Sequence, residues 1–408
     1  MVKSAELATT ATGPLKGVRI LDMTSVVFGA YATQMLGDLG ADVIKVEFPG
    51  GRRGGGGDIM RWAGHVPEGA PADLGPIFMT INRNKRSMLL DLREETAGKA
   101  LRRLIKSCDV FAASVRWEGL TRLGLDYEGV KAISPQIIYV HGAGYGAGGP
   151  YAGEPAYDDL IQSASGLADL LPRTDDNPAP RLMPTLVADK VSGHFMAQAI
   201  LAALFHKQRT GEGQFVEVPM LECITSFTLA EHMYGHVYDP PTGGWSYPRV
   251  ANPERKPFKT KDGYIGLLPY TDQQWDQFFE AAGMGDSFGN DPRFSDYKTR
   301  GKYIRELYKL VDEVTGQKTT QEWLDLLKPL SIPVTRTNRL DQLMDDEHLK
   351  AVDLFERYEH PEAGAYHALR PPLKFAKTPA NIRRHPPKMG EHTDELLAEL
   401  AEEREAAE

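Results

Sequence analysis

The chain has 408 residues, 41% of them hydrophobic and 25% charged, the balance of a soluble globular protein. Its length exceeds what one core usually serves, so two domains are expected. A formal net charge of −9 argues against a nucleic-acid partner, which wants a basic surface, and apolar runs fall short of the roughly 18 residues that span a bilayer, so no membrane partner is expected.

The N-terminal MVKSAELATTATGP lacks the apolar centre of a secretory signal and reads as a short flexible lead. Residues 18–23 (VRILDM) form an apolar strand run. A helical pattern over 31–39 ends at Gly40, and a second strand run, DVIKVE, covers 42–47. Together they make a compact βαβ unit. The alternation continues with strand 87–92, helix 95–108, strand 109–114, helices through Ile133 and strand 136–141. This pattern predicts a parallel sheet with helices on both faces, whose ligands sit beyond the carboxyl ends of the strands. The segments to watch are therefore 24–29, 48–58, 90–93, 114–116 and 142–158. Cys108 and Cys223 are the two cysteines; they have no metal-ligand or CxxC spacing, which fits a reducing cytoplasm and no metal site.

Within these segments, GRRGGGG (51–57) reads either as a solvated loop or, through Arg52 and Arg53, as an anion-contacting lid. NRNKRSMLLDL (82–92) reads as a solvated strand start or as a phosphate contact. Gly144-Tyr-Gly146-Ala-Gly-Gly149 matches GxGxxG after a strand, but Pro150 and Pro155 intervene where a helix should begin. A nicotinamide or flavin site is therefore not expected.

Residues 184–218 open with a lone carboxylate, Asp189, continue as a long helix with Val191, Phe195, Met196, Ile200 and Leu204, and end in strand 214–218. An Asp at a helix start is either an N-cap or a carboxylate poised for chemistry, and the local sequence alone favours the cap. After about 237 the composition turns to Pro, Gly and aromatics, as in a linker. A smaller α+β region follows, with a strand pair around Lys261-Asp262-Gly263 and helices at 273–282, 301–314 and 320–328. The tail 346–388 is Pro-rich and strand-like. It ends in an acidic surface helix, where Gly390-Glu-His-Thr393 favours capping over acid–base work. No Walker A, HExxH, GxSxG or EF-hand pattern occurs.

Seven stretches, in order, resemble the family III CoA-transferases of the CaiB–BaiF type. They are GPLKGVRILDMTSVVFGAYATQMLGDLGADVIKVEFPG, GDxxR (Gly57, Asp58, Arg61), NRNKRSMLLDL, LTRLGLDYEGVKAISPQIIYVHGAGYGAGGPYA, YDDLIQSASG, LVADKVSG…GEGQFVEV and GEHTDELL. The resemblance runs from about 15 to 400. It implies an α/β fold: a Rossmann-like parallel-sheet large domain (1–225 and 346–408), a linker (226–255) and a small α+β domain (256–345), in an interlocked homodimer. It implies CoA exchange between an acyl-CoA and a carboxylic acid, with CoA as substrate and no tightly bound cofactor. Asp189 takes the place of the family's catalytic aspartate. CoA contacts carry over to Val27, Phe28, Leu90, Arg93, Ser114, Arg116, Arg122, Pro155, Ala156, Tyr157 and Asp158.

The chain departs from the family pattern in three places, one of them the family's glycine-run loop, whose nearest counterpart is Thr242-Gly243-Gly244-Trp245. Ala113-Ser114-Val115-Arg116-Trp117-Glu118 stands where Glu-Asn-Phe-Arg-Pro-Gly is usual. Phe48-Pro49-Gly50 stands for Arg-Pro-Gly, with Arg52 and Arg53 as substitutes. Aspartate suits the chemistry, because an ordinary carboxyl with pKa about 3.9 is ionised at neutral pH and needs no general base. The α-methylacyl-CoA racemases resemble the same scaffold but need a His–Asp acid–base pair. Tyr157 stands in the relevant segment, and no histidine occurs from 142 to 193. A non-catalytic CoA-binding dimer is the remaining alternative.

Overall fold

A computed structural model describes residues 2–50, 55–175 and 177–407; Arg52 and Arg53 lie outside the described residues. The chain divides into two compact units. One comprises Met1–Ser165, Met183–Phe227 and Met344–Glu408; the other comprises Gly166–Leu182 and Thr228–Leu343.

The first unit is built on six parallel strands: β2 (Arg19–Met23), β3 (Asp42–Glu47), β4 (Lys85–Leu89), β5 (Val110–Ala113), β6 (Ile138–Ala143) and β7 (Phe215–Pro219). Their apolar runs are buried because helices cover the faces of a parallel sheet. The helices between them are α1 (Phe28–Asp38), α2 (Pro76–Ile81), α3 (Glu95–Ser107), α4 (Trp117–Arg122), α5 (Tyr127–Ile133), α6 (Asp158–Ala164) and α7 (Val187–Thr210). Strand order is β4-β3-β2-β5-β6-β7, so the winding reverses between β2 and β5. Open α/β sheets bind ligands in the crevice at such a point. GxGxxG at 144–149 follows β6, whereas a dinucleotide fingerprint belongs on the first turn, here 24–28.

The core joins Leu21, Ile44, Phe111 and Tyr139 of the sheet to Leu101 and Leu104 of α3. Leu396 and Leu400 of the C-terminal helix join it too; that helix is acidic on its surface but not surface on every side.

Three local expectations change. β4 starts at Lys85 rather than 87, and the basic run before it is neither solvated nor free for phosphate. Arg83 pairs with Asp38, Lys85 with Asp22, and Arg86 with Asp42, Glu395 and Glu399. Buried partners absorb charges that composition alone assigns to solvent. The N-terminal lead is not free either. β1 (Lys3–Ser4) pairs parallel with β11 (Phe355–His360), which pairs antiparallel with β12 (Gly364–Leu369). Finally, His392 and Thr393 do more than cap. The Ser87 N–H donates to His392 Nδ1 at 3.3 Å and the Leu89 N–H to Thr393 Oγ1 at 3.0 Å, which covers the open edge of β4.

The second unit has a three-stranded antiparallel sheet of β8 (Phe258–Lys259), β9 (Tyr264–Leu267) and β10 (Val334–Arg336). The turn at 261–263 joins its first two strands, as its sequence indicates. Helices α9 (Asp272–Ala281), α10 (Gly285–Gly289), α11 (Tyr297–Lys302), α12 (Ile304–Thr315) and α13 (Thr320–Leu327) belong to this unit. Its core contains Trp275, Phe278, Phe279, Val311 and Trp323. The stretch 226–255, expected to be a linker, opens inside helix α8 (Met220–His232). Helix α14 (Glu347–Ala351) precedes β11, and α15 (Thr393–Ala407) closes the chain.

Candidate active site

Helix α7 buries Asp189, Ser192, Gly193, Met196, Ile200 and Ala203, a stripe at helical spacing. Asp189 therefore sits on the inward face, in the first turn, and is not the N-cap; that position is Leu186. The capping group comes from elsewhere in the chain: Asp158 Oδ1 accepts the Asp189 backbone N–H at 3.0 Å. Asp158 is itself fixed by Gln162, one turn along α6, whose Nε2 donates to Oδ2 at 2.5 Å. Gln162 Oε1 also accepts the Met183 N–H at 2.8 Å, and its Nε2 donates to the Thr185 carbonyl at 3.3 Å. One amide side chain thus ties α6 to the segment leading into α7.

The Asp189 carboxylate has no protein hydrogen-bond donor among the described residues. Burial pushes its pKa up, and the nearby Asp158 and Asp159 carboxylates push it further, to about 7. This corrects the expectation of an ordinary, fully ionised aspartate. Desolvation and a like charge disfavour the anion, and the Asp189 N–H is already engaged by Asp158.

The start of α1 meets α7 at this point. A Cβ on Gly193 would lie 2.8 Å from the Phe28 carbonyl oxygen, so glycine is what permits the approach. Gly193 is one turn beyond Asp189 and on the same face of α7. The Phe28 ring lies over the end of β6, where a Cβ on Gly142 would come within 2.7 Å of it. Val27 and Phe28 are buried. Across the switch point, the Ser25 N–H donates to Ser114 Oγ at 3.1 Å.

The remaining expected CoA positions are more scattered. A cavity of about 630 Å³ at the ends of β5 and β6 is lined by Ser114, Arg116, Trp117, His141, Ala156 and Glu217. Leu90 is buried at the end of β4. Arg93 is exposed and already forked onto Asp91 at 2.7 and 2.5 Å. Arg122 is exposed in the last turn of α4, Pro155 is exposed, and Tyr157 is exposed at the N-cap of α6. In the second unit, buried His232 uses Nδ1 on Ser246 Oγ and the Tyr247 N–H. Among the described residues no cluster of three or more His, Cys, Asp or Glu is placed to hold a metal ion, and no helix is long and apolar enough to cross a membrane.

The sequence pattern of the CoA-transferase family III matches residues 15–393. The chain belongs to that family. It is 31% identical over 392 residues to a succinate–glutarate CoA-transferase of Agrobacterium fabrum, covering 95% of this chain and 96% of that one. It is also 31% identical over 398 residues to the human succinyl-CoA:glutarate CoA-transferase, covering 95% and 86%. A crystal structure of a CaiB/BaiF family protein from Brucella suis superposes with a TM-score of 0.79 at 29% identity, covering 95% of this chain and all of that one.

As a family III CoA-transferase, the chain carries site features that sequence reading alone missed. Gln162 was hidden because, besides Asp158 on its own helix, its partners lie 21 and 23 residues away. Its signal is the i, i+4 spacing from Asp158 on one helix face. His141 was read as the last residue of a strand. It is buried beside the cavity, its Nε2 3.0 Å from the Val115 carbonyl, and burial lowers its pKa. Lys45 and Asp58, both fully enclosed, form an ion pair at 2.9 Å beneath the first βα turn. The only sequence hint was Asp58 in GDxxR.

Proposed function

We propose that the protein moves CoA from an acyl-CoA donor to a carboxylic acid acceptor, with Asp189 as nucleophile. The observation that carries this reading is a buried aspartate at a helix start, without a donor on its carboxylate among the described residues, beside the sheet's ligand-binding end. A carboxylate stripped of solvent is a stronger nucleophile once ionised, and a pKa about 7 leaves a substantial ionised fraction at neutral pH.

The atoms balance without water or an outside base. An Asp189 oxygen attacks the donor thioester carbonyl, the C–S bond breaks, and a mixed anhydride and CoA thiolate result. The thiolate attacks the aspartyl carbonyl and expels the donor acid as its carboxylate. The acceptor carboxylate then attacks the aspartyl-CoA thioester, which gives a second anhydride and thiolate. The thiolate takes the acceptor acyl group and Asp189 returns as carboxylate. Burial of Asp189, 6% exposed, favours this route because anhydrides hydrolyse in water. Partnered Asp158 sets the nucleophile's orientation through its backbone.

Ser114, Arg116 and Ala156, which share a cavity, are the strongest CoA-contact proposals; Phe28 abuts Gly193, one turn from Asp189. Short dicarboxylic acids are the acceptors to test first, because the two similar transferases above are named for succinate and glutarate. Exposed Leu160, Leu201, Phe205 and Phe227 on α6, α7 and α8 support a homodimer that covers them, in line with an interlocked pair. Two free cysteines, one buried, are in keeping with a cytoplasmic setting. Proton transfer at an α-carbon is not favoured, since Tyr157, at 63% exposure, is no substitute for an enclosed histidine base. The test is exchange of isotopically labelled succinate or glutarate into succinyl-CoA, read by mass spectrometry. Activity in the wild type and none in Asp189→Ala supports the reading; undiminished exchange in the variant overturns it.

A further inference from the structure

Val26 has φ 65°, in the left-handed region. For a β-branched residue this is an outlier, and such strain persists only where the surroundings enforce it. Here two buried side chains enforce it. The Val26 N–H donates to Asp58 Oδ1 at 3.0 Å. Asp58 Oδ2 lies 2.9 Å from Lys45 Nζ, and Lys45 Nζ donates to the Thr24 carbonyl at 2.8 Å. The pair therefore grips the turn at both ends.

The grip is itself anchored. The Asp58 N–H donates to Glu47 Oε1 at 2.9 Å, and Asp58 Oδ1 also accepts the Met60 N–H at 3.0 Å. Glu47 is forked by Arg61 at 2.7 and 2.6 Å. Burial opposes charge on Lys45, but Asp58, Asp22 and Glu47 outweigh it and raise the lysine's pKa. A fully buried ion pair is weak evidence for stability, since apolar groups of equal volume often serve as well. Its location beside a strained turn at the switch point asks for another reason. That turn leads directly into Val27, the N-cap of α1, and Phe28, whose carbonyl abuts Gly193, one turn from Asp189.

The geometry points to Asp58, with Lys45, as a positioning residue for CoA transfer: the pair locks the Thr24–Val26 turn and thereby sets Val27 and Phe28 beside Asp189. This rests on the function proposed above. It predicts that strain at Val26, and not charge as such, is what Asp58 works against.

The test is steady-state exchange of labelled succinate into succinyl-CoA by the full chain. Asp58→Ala lowers kcat at least about 30-fold, the scale of a small misplacement near the chemistry, while KM for succinyl-CoA stays within about threefold. Val26→Gly added to Asp58→Ala recovers kcat by at least about tenfold, because glycine takes φ 65° without strain. Asp58→Asn, which keeps an acceptor for the Val26 N–H, retains kcat within about tenfold of wild type. Should Asp58→Ala fail to fold, Asp58→Leu with Lys45→Met removes both charges and the acceptor at similar volume, and adding Val26→Gly is expected to recover its kcat by at least about tenfold. Unchanged kcat in a folded Asp58→Ala, or equal loss with and without Val26→Gly, overturns the clamp. Absence of exchange in the wild type with every acid tried instead overturns the proposed function, so the two failures are distinct.

Discussion

The carboxylate of Asp158 accepts the backbone N–H of Asp189 at 3.0 Å, so one acid caps the helix on which the other is carried. The arrangement fixes Asp189 in place and also makes its ionisation harder. Burial is the larger cause of the raised pKa, and Asp158 is the next.

The pH dependence of exchange follows from this. With Asp189 as nucleophile, kcat/KM rises as pH increases through about 7, because only the anion attacks. Asp158→Asn preserves a cap acceptor and removes the like charge, so the rising limb moves to lower pH. A pH–rate profile of both proteins checks this; a limb that stays in place or moves upward contradicts it.

Stability carries the opposite sign. A carboxyl whose folded pKa lies above its unfolded value of 3.8, here at about 7, contributes stability that is present below 3.8 and lost as pH rises through about 7. Asp189→Asn, neutral at every pH, therefore gains on wild type across that window. The gain is on the order of 4 kcal/mol above pH 7, each pKa unit of the rise from 3.8 to about 7 being worth about 1.4 kcal/mol. Urea unfolding at pH 4.5 and pH 8 measures it, and an equal difference at both pH values contradicts the assignment.

Gly193→Ala places a Cβ 2.8 Å from the Phe28 carbonyl oxygen and 3.3 Å from the Tyr31 ring. Overpacking of this kind costs about 1–3 kcal/mol. It also pushes α1 from α7 beside Asp189, so exchange falls by about tenfold or more. Thermal unfolding and kcat, measured together, read both effects.

The arginines at the strand ends are not equivalent. Arg116 lines the cavity, whereas Arg93 is already paired with Asp91. Arg116→Ala raises KM for acyl-CoA by about tenfold with kcat little changed, the mark of lost uniform binding. Arg93→Ala has the smaller effect on KM.

Much of the fold was legible in the chain. VRILDM and DVIKVE are apolar enough to read as strands, and their alternation with helices gave the parallel sheet. Lys85 and Arg86 concealed the start of β4, because a pattern of residue types does not show that Asp22 and Asp42 neutralise them inside the protein. Asp189 was legible as a carboxylate at a helix start. Its raised pKa was not, since Asp158 lies 31 residues earlier in the chain and burial depends on packing against α1. The left-handed turn at Val26 left no trace either, because its cause is a buried pair from two other segments.

The central claim is that Asp189 becomes acylated during CoA exchange. The wild-type protein is incubated with succinyl-CoA and hydroxylamine, then digested, and the peptide containing residue 189 is sequenced by tandem mass spectrometry. A hydroxamate on Asp189, formed only when the acyl-CoA is present and absent from Asp189→Asn, is the predicted result. An unmodified Asp189 peptide from an enzyme shown to be turning over contradicts the account.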